Sequence, residues 1–208
     1  IFNIFFLNIY SQVSYDDVIK SIDIRKEQYI ETAKKIWNWS EVGFKENKSS
    51  NLLQEVLSNE GFKIDRGVAD IPTAFVASYG SGEPVIGILA EYDALPGLSQ
   101  KAVPYKSSSG GNAGHACGHH LFGTASTAAA IAIKKYLKDN KKSGTIKLYG
   151  CPAEEGGSGK VYMVRTGLFD DVDIALHWHA ADNNSANPRP ALANKSAKFR
   201  FYGVSSHA

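Results

Sequence analysis

Apolar side chains recur at helical spacing through Val18, Ile19, Ile22, Tyr29, Ile30, Ala33, Ile36 and Trp37. That spacing predicts one long amphipathic helix over about residues 15–40. Ser49, Ser50 and Asn51 carry capping oxygens ahead of a second helix, whose core face is Leu52, Leu53, Val56 and Leu57 and whose end is Gly61. Short β-type runs follow at Phe62–Ile64 and Thr73–Tyr79. After the turn Gly80-Ser81-Gly82-Glu83-Pro84 comes Val85–Ala90, apolar on both faces as a central strand is. An Ala-rich stretch over about 120–138 reads as a buried helix, with Lys134, Lys135 and Lys138 near its C-terminus. Thr145–Tyr149 predicts a strand, Gly159–Thr166 a helix closed by Gly167, and Val172–Leu176 a further buried strand. This alternation predicts an α/β domain with helices on both faces of the sheet.

The two ends read differently. Residues 1–12 have the length of a signal-peptide core and fall short of the roughly 20 residues that span a bilayer. They suit a signal-peptide remnant, which implies a periplasmic or exported protein, or equally a buried first element of a cytoplasmic one. Ser196–Tyr202 alternates apolar and polar positions with period two, the pattern of a half-buried strand. The expected division is therefore 1–12 as the remnant, 13–195 as the N-terminal part of a first domain, and 196–208 as the opening strand of a truncated second one.

Composition narrows the function. The chain has 208 residues, 43% hydrophobic and 21% charged, which is globular rather than disordered. Lys plus Arg number 23 and Asp plus Glu 21, a net charge of +2 with no basic run. Nucleic-acid and membrane-surface binding therefore have no support. Two cysteines cannot staple a chain of this length.

The chemistry gathers where strands end. Val85–Ala90 runs into Glu91 and Asp93, Thr145–Tyr149 into Glu154 and Glu155, and Val172–Leu176 into His177 and His179. Open α/β sheets bind ligands beyond the carboxyl ends of their strands. A Gly-rich loop, Gly114-His115-Ala116-Cys117-Gly118-His119-His120, precedes the Ala-rich helix. Thiolate, imidazole and carboxylate are ligand types for zinc and its first-row relatives. Glu154 and Glu155, being adjacent, point in different directions in extended backbone, so one can bind metal while the other faces water. Each group alone has an ordinary reading: a buried Cys as a small hydrophobe, adjacent Glu residues as solvated, paired histidines as edge alternation. A disulfide between Cys117 and Cys151 and a Cys–His nucleophile also stay open. A phosphate loop at Gly156–Lys160 does not, since it requires Gly at 154 and Ser or Thr at 161.

Five motifs carry a resemblance. Ala90-Glu91-Tyr92-Asp93-Ala94-Leu95-Pro96-Gly97, Gly114–His120, Pro152-Ala153-Glu154-Glu155-Gly156-Gly157, Leu176-His177-Trp178-His179 and Gly203-Val204-Ser205-Ser206-His207-Ala208 occur in that order. The chain resembles the aminoacylase/carboxypeptidase-G-like family of two-metal amidohydrolases, and within it the p-aminobenzoyl-glutamate hydrolase branch. The resemblance implies a mixed α/β catalytic domain with helices on both faces, followed by the start of a small α+β lid or dimerisation domain. It implies two divalent metal ions, zinc or manganese, with Cys117, His119, Glu155 and His179 as ligands. It makes Glu154 the general base, Asp93 a carboxylate that orients the site, and His207 a lid group reaching a partner's site. The implied activity is cleavage of the amide bond of N-acyl amino acids, p-aminobenzoyl-glutamate-like or small dipeptide-like. The implied assembly is a homodimer through the lid or a hetero-oligomer with a related subunit. The other reading is a non-catalytic metal- or ligand-binding relative, or a fragment inactive alone. His120 departs from the family, where many members carry Asp or Asn.

Overall fold

The computed structural model describes residues 14–186, 190, 192–193 and 195–204. The signal-peptide expectation for residues 1–12 and the assignment of His207 lie outside these residues.

Three helices open the chain: α1 (Tyr15–Asp23), α2 (Lys26–Trp39) and α3 (Asn47–Asn59). The single helix expected over 15–40 is thus two. The apolar stripe has a gap between Ile22 and Tyr29, and within it Ile24 is 84% exposed. Arg25 breaks the helical backbone there, with φ −103° and ψ 9°, and its guanidinium pairs with Glu60 beyond the end of α3. The break lets α1 pack on helix α4 (His119–Asp139) while α2 packs on both α3 and α4.

The start of α3 also differs from expectation. Ser49, Ser50 and Asn51 lie inside the helix rather than ahead of it. Glu41 serves its N-terminus instead: its carboxylate accepts the N–H of Lys48 at 3.0 Å and both the N–H and the hydroxyl of Ser49 at 2.8 Å. An anion at a helix N-terminus satisfies otherwise orphaned donors and favours the dipole. Glu41→Ala is expected to cost about 1–2 kcal/mol, read as a lower urea midpoint for the full protein.

The sheet has five strands in the order β1 (Lys63–Arg66), β2 (Phe75–Ser81), β6 (Gly144–Gly150), β3 (Val85–Ala90) and β7 (Ile174–Leu176). A one-turn 3-10 helix, Val68–Asp70, links β1 to β2. β1, β2 and β6 pair antiparallel, whereas β3 pairs parallel with both β6 and β7. The sheet is therefore mixed. β4 (Leu95–Pro96) and β5 (Ala113–Gly114) form a separate two-stranded ribbon.

Strand alternation divides the core. Phe75, Ala77, Ile86, Ile88, Ala90, Ile146 and Leu148 face the helical layer of α2, α3 and α4. After β6 the chain makes the short turn α5 (Glu154–Gly157) and then α6 (Gly159–Arg165). Val76, Leu89, Tyr149 and Cys151 face the other side of the sheet, where they meet Met163 of α6. Helices thus cover both faces. Cys151 is buried in this second core and Cys117 lies apart as a free thiol, so the Cys117–Cys151 disulfide does not form.

Two apolar runs depart from the sequence reading. The last strand begins at Ile174 rather than Val172, and Ile174 and Leu176 are half exposed, not buried. It is the sheet's edge, paired only with β3 among the described residues. Residues 196–202 form no strand, and Phe199 and Phe201 are exposed. A period-two pattern becomes a strand only where another strand offers a ladder, and no neighbour among the described residues does so here.

Candidate metal centre

Because β3, β6 and β7 run parallel, their carboxyl ends lie on one edge of the sheet. Glu91 and Asp93 follow β3, Glu154 and Glu155 follow β6, and His177 and His179 follow β7. The fourth contribution, Cys117 and His119, comes from the start of α4. Gly118 between them has φ +83°, a left-handed turn that glycine enters without steric cost. Further along α4, a Cβ on Gly123 would meet the Glu91 carbonyl oxygen at 2.6 Å. Only glycine lets the helix sit this close to the end of β3, and that approach brings His119 against Glu91.

His119 is fully buried. Its Nδ1 lies 2.9 Å from Asp93 Oδ1 and 3.1 Å from the Asp93 carbonyl oxygen. With Nδ1–H donated there, a neutral ring keeps its Nε2 lone pair for a ligand, the way a carboxylate behind a histidine fixes its tautomer. That Nε2 lies 2.9 Å from Glu91 Oε2 and 3.9 Å from Glu154 Oε2. Cys117 Sγ lies 3.2 Å from His179 Nε2, and His179 Nδ1–H donates to the Ala180 carbonyl at 3.0 Å, which aims Nε2 at the sulfur. Two groups result, Cys117–His119–His179 and Glu91–His119–Glu154, each with its donor atoms within 4.8 Å of one another. Glu155 stands beside the Cys117 thiol, and its own N–H donates to Asp93 Oδ2 at 2.8 Å. Asp93 thereby ties α4 to the Glu154–Glu155 turn.

The electrostatics call for positive charge. Burial pushes the Cys117 thiol up, and Glu155, Glu154 and Glu91 push the same way, to about 12. Burial opposes a charge on His119, but Asp93 and Glu91 outweigh it and raise the imidazole to about 10. Burial likewise opposes the charge on Glu91, yet His119, His177 and Lys160 hold it well below the usual carboxylate range. At the site Glu155 Oε1 is buried without a hydrogen-bond partner, and His119 Nε2 and Glu91 Oε2 face each other at 2.9 Å without an aligned hydrogen bond. Buried polar atoms without partners are uncommon and costly. A divalent cation among them gives the carboxylates and imidazoles a partner and lets the sulfur ionise, so this donor set fits a metal.

The structure separates the paired histidines. His179 meets Cys117, whereas His177 Nε2 lies 3.5 Å from Glu91 Oε1. Phe122 of α4 packs edge-on against His177, Trp178 and His179, so the helix bearing His119 also steadies this segment. His120 turns away to pack on His115, with ring centroids 5.1 Å apart.

Two groups at the site had no assigned role in the sequence reading. Glu91 was legible as a strand-end acid, and a spacing of two in extended backbone puts Glu91 and Asp93 on one side. Lys160 of α6 pairs with Glu91 Oε1, a contact between distant segments that no local pattern announces.

The family model of peptidase family M20/M25/M40 matches residues 87–202. The chain belongs to that family. It is 47% identical over 199 residues to one subunit of the p-aminobenzoyl-glutamate hydrolase of Escherichia coli, covering 95% of this chain and 41% of that protein. It is 35% identical over 141 residues to hippurate hydrolase of Campylobacter jejuni, covering 67% of this chain and 36% of that protein. Among solved structures, a dinuclear metal-binding peptidase of the M20 family from Bacillus subtilis matches with a TM-score of 0.59 and 25% identity, over 74% of this chain and 43% of that one. The chain thus spans about two fifths of the length of the curated relatives it matches.

Proposed function

We propose that the full protein hydrolyses the amide bond of N-acyl amino acids, with aroyl-glutamates such as p-aminobenzoyl-glutamate as the first candidate and small dipeptides next. The observation that carries this reading is the convergence of Cys117, His119 and His179 beside Glu154 and Glu155, with Glu155 Oε1 buried and without a hydrogen-bond partner. The names of the matched hydrolases, acting on p-aminobenzoyl-glutamate and hippurate, point to the same bond type.

Cys117, His119, Glu155 and His179 are the residues that would hold two divalent ions, zinc suiting the thiolate and manganese the carboxylates. When bound, such ions supply Lewis acidity toward the scissile carbonyl and toward water. Glu154, whose side chain is 44% exposed at the mouth of the site, takes a proton from the attacking water and returns it to the leaving amine. Asp93 keeps His119 in one tautomer and holds Glu155 in place. His207, from a partner protomer, steadies the negative charge that develops on the carbonyl oxygen. Assembly with a second copy or a related chain follows from that role, and the similar Escherichia coli protein is itself named as one subunit of a hydrolase.

The test is incubation of the full protein with p-aminobenzoyl-glutamate, with zinc or manganese added. Stoichiometric release of glutamate and p-aminobenzoate is expected. No release from this substrate, from hippurate or from dipeptides with either metal would overturn the proposal.

A further inference from the structure

We infer that Glu46, outside the metal centre and on no strand end, is a positioning residue for Glu154 and Glu155; the inference rests on the roles proposed for that pair. The chain leaves β6 through Ala153, whose φ of 55° and ψ of 41° are left-handed. A residue with a Cβ is disfavoured in that conformation and stays there only if its surroundings impose it. Here the methyl is clamped: a Cβ on Gly43 would come within 3.0 Å of it, and one on Gly157 within 2.6 Å. The amide is held as well. Ala153 N–H donates to Glu46 Oε1 at 2.8 Å.

Glu46 has no solvent exposure, an expensive place for a carboxylate. Its second oxygen accepts the Thr73 hydroxyl at 2.9 Å. Thr73 is anchored in turn, because its carbonyl accepts the hydroxyls of Ser50 at 2.7 Å and Tyr92 at 2.5 Å. Tyr92 sits between Glu91 and Asp93, so one network joins the support of Glu46 to the end of β3. Beyond the left-handed residue, Asp93 Oδ2 accepts the Glu155 N–H. The catalytic pair is therefore held by a carboxylate on each side, Glu46 before it and Asp93 after it. Without Glu46 the Ala153 amide loses its acceptor, and the packing of the methyl alone opposes a relaxation to the right-handed conformation that swings both glutamates off the site.

The experiment is a double-mutant cycle in the full protein, using E46A, A153G and E46A/A153G, with E46Q alongside. It reads kcat and KM for p-aminobenzoyl-glutamate and zinc retention against a competing chelator. Glu46→Ala is expected to lower kcat and zinc affinity each by about tenfold or more with little change in KM, the usual cost of losing a group behind a ligand. Glu46→Gln keeps an acceptor for the Ala153 amide and should stay near wild type. Glycine takes the left-handed conformation unaided, so E46A in the A153G background should change kcat by less than about threefold. Equal losses in both backgrounds overturn the inference, as does an E46A protein with wild-type kcat and zinc affinity. If E46A alone does not fold, the comparison of E46A/A153G with A153G decides; a double variant that also fails to fold shows Glu46 is needed for folding regardless of the turn, which overturns the inference too. A wild-type protein that neither binds zinc nor turns over defeats the functional reading instead, and is recognised before any variant is made.

Discussion

Replacing Glu154 by Gln in the full protein is expected to reduce kcat for amide hydrolysis by about a hundredfold to ten-thousandfold, the range for a lost general acid–base group. The amide is nearly isosteric but cannot take a proton from water at neutral pH. Metal content should stay at the wild-type value, because the amide keeps an oxygen toward His119 Nε2 and the proposed ligand Glu155, beside the Cys117 thiol, is unchanged. Elemental analysis and steady-state kinetics on one preparation decide it. A fall in activity that tracks a fall in bound metal would reassign Glu154 as a ligand, and unchanged turnover would remove it from the mechanism.

The second large effect is on His119, where loss of binding and loss of stability should appear together. Its imidazole lies fully buried between Asp93 and Glu91, both themselves buried. In His119→Ala, Asp93 Oδ1 and Glu91 Oε2 face a void, and only the other oxygen of Glu91 keeps its contacts with Lys160 and His177. Removing one member of a buried charged set typically costs about 3–5 kcal/mol. Chemical denaturation of the metal-free protein isolates this part. Metal affinity should fall by at least about a hundredfold, since even groups behind ligands are worth ten to a hundredfold. A His119→Ala protein that keeps wild-type stability without metal would show that the acids do not depend on the ring. Wild-type zinc affinity would show that Nε2 is no ligand.

Much of the fold and site could be read from local pattern because the pattern and the burial coincide. Val85–Ala90 is apolar on both faces and forms a strand with those bounds, and Gly61 closes α3 with a left-handed φ of 82°. The strand-end acids and histidines were visible because parallel strands deliver whatever follows them to one edge. What stayed hidden was set by contacts distant in sequence. The break at Arg25 is tied to Glu60, and the capping of α3 comes from Glu41 rather than the serines that look suited to it. Leu176 looks like core but lies at a sheet edge, and Phe199 and Phe201 alternate like a strand but find no ladder to join among the described residues. Glu46 carried no signal, because a glutamate ahead of a helix resembles any solvated acid until its partner at Ala153 is known.

The spread of donor groups along the chain has a kinetic consequence. Glu91, Cys117, His119, Glu154, Glu155 and His179 come together only when three long loops have closed, each at an entropic cost that sheet and helix packing must meet before any ion arrives. A ribosome that has released the chain only as far as β6 presents an unfinished set of donors. With the ligands proposed above, tight zinc retention is expected only in chains long enough to include a docked β7 and His179, so it would report that this part of the topology is complete.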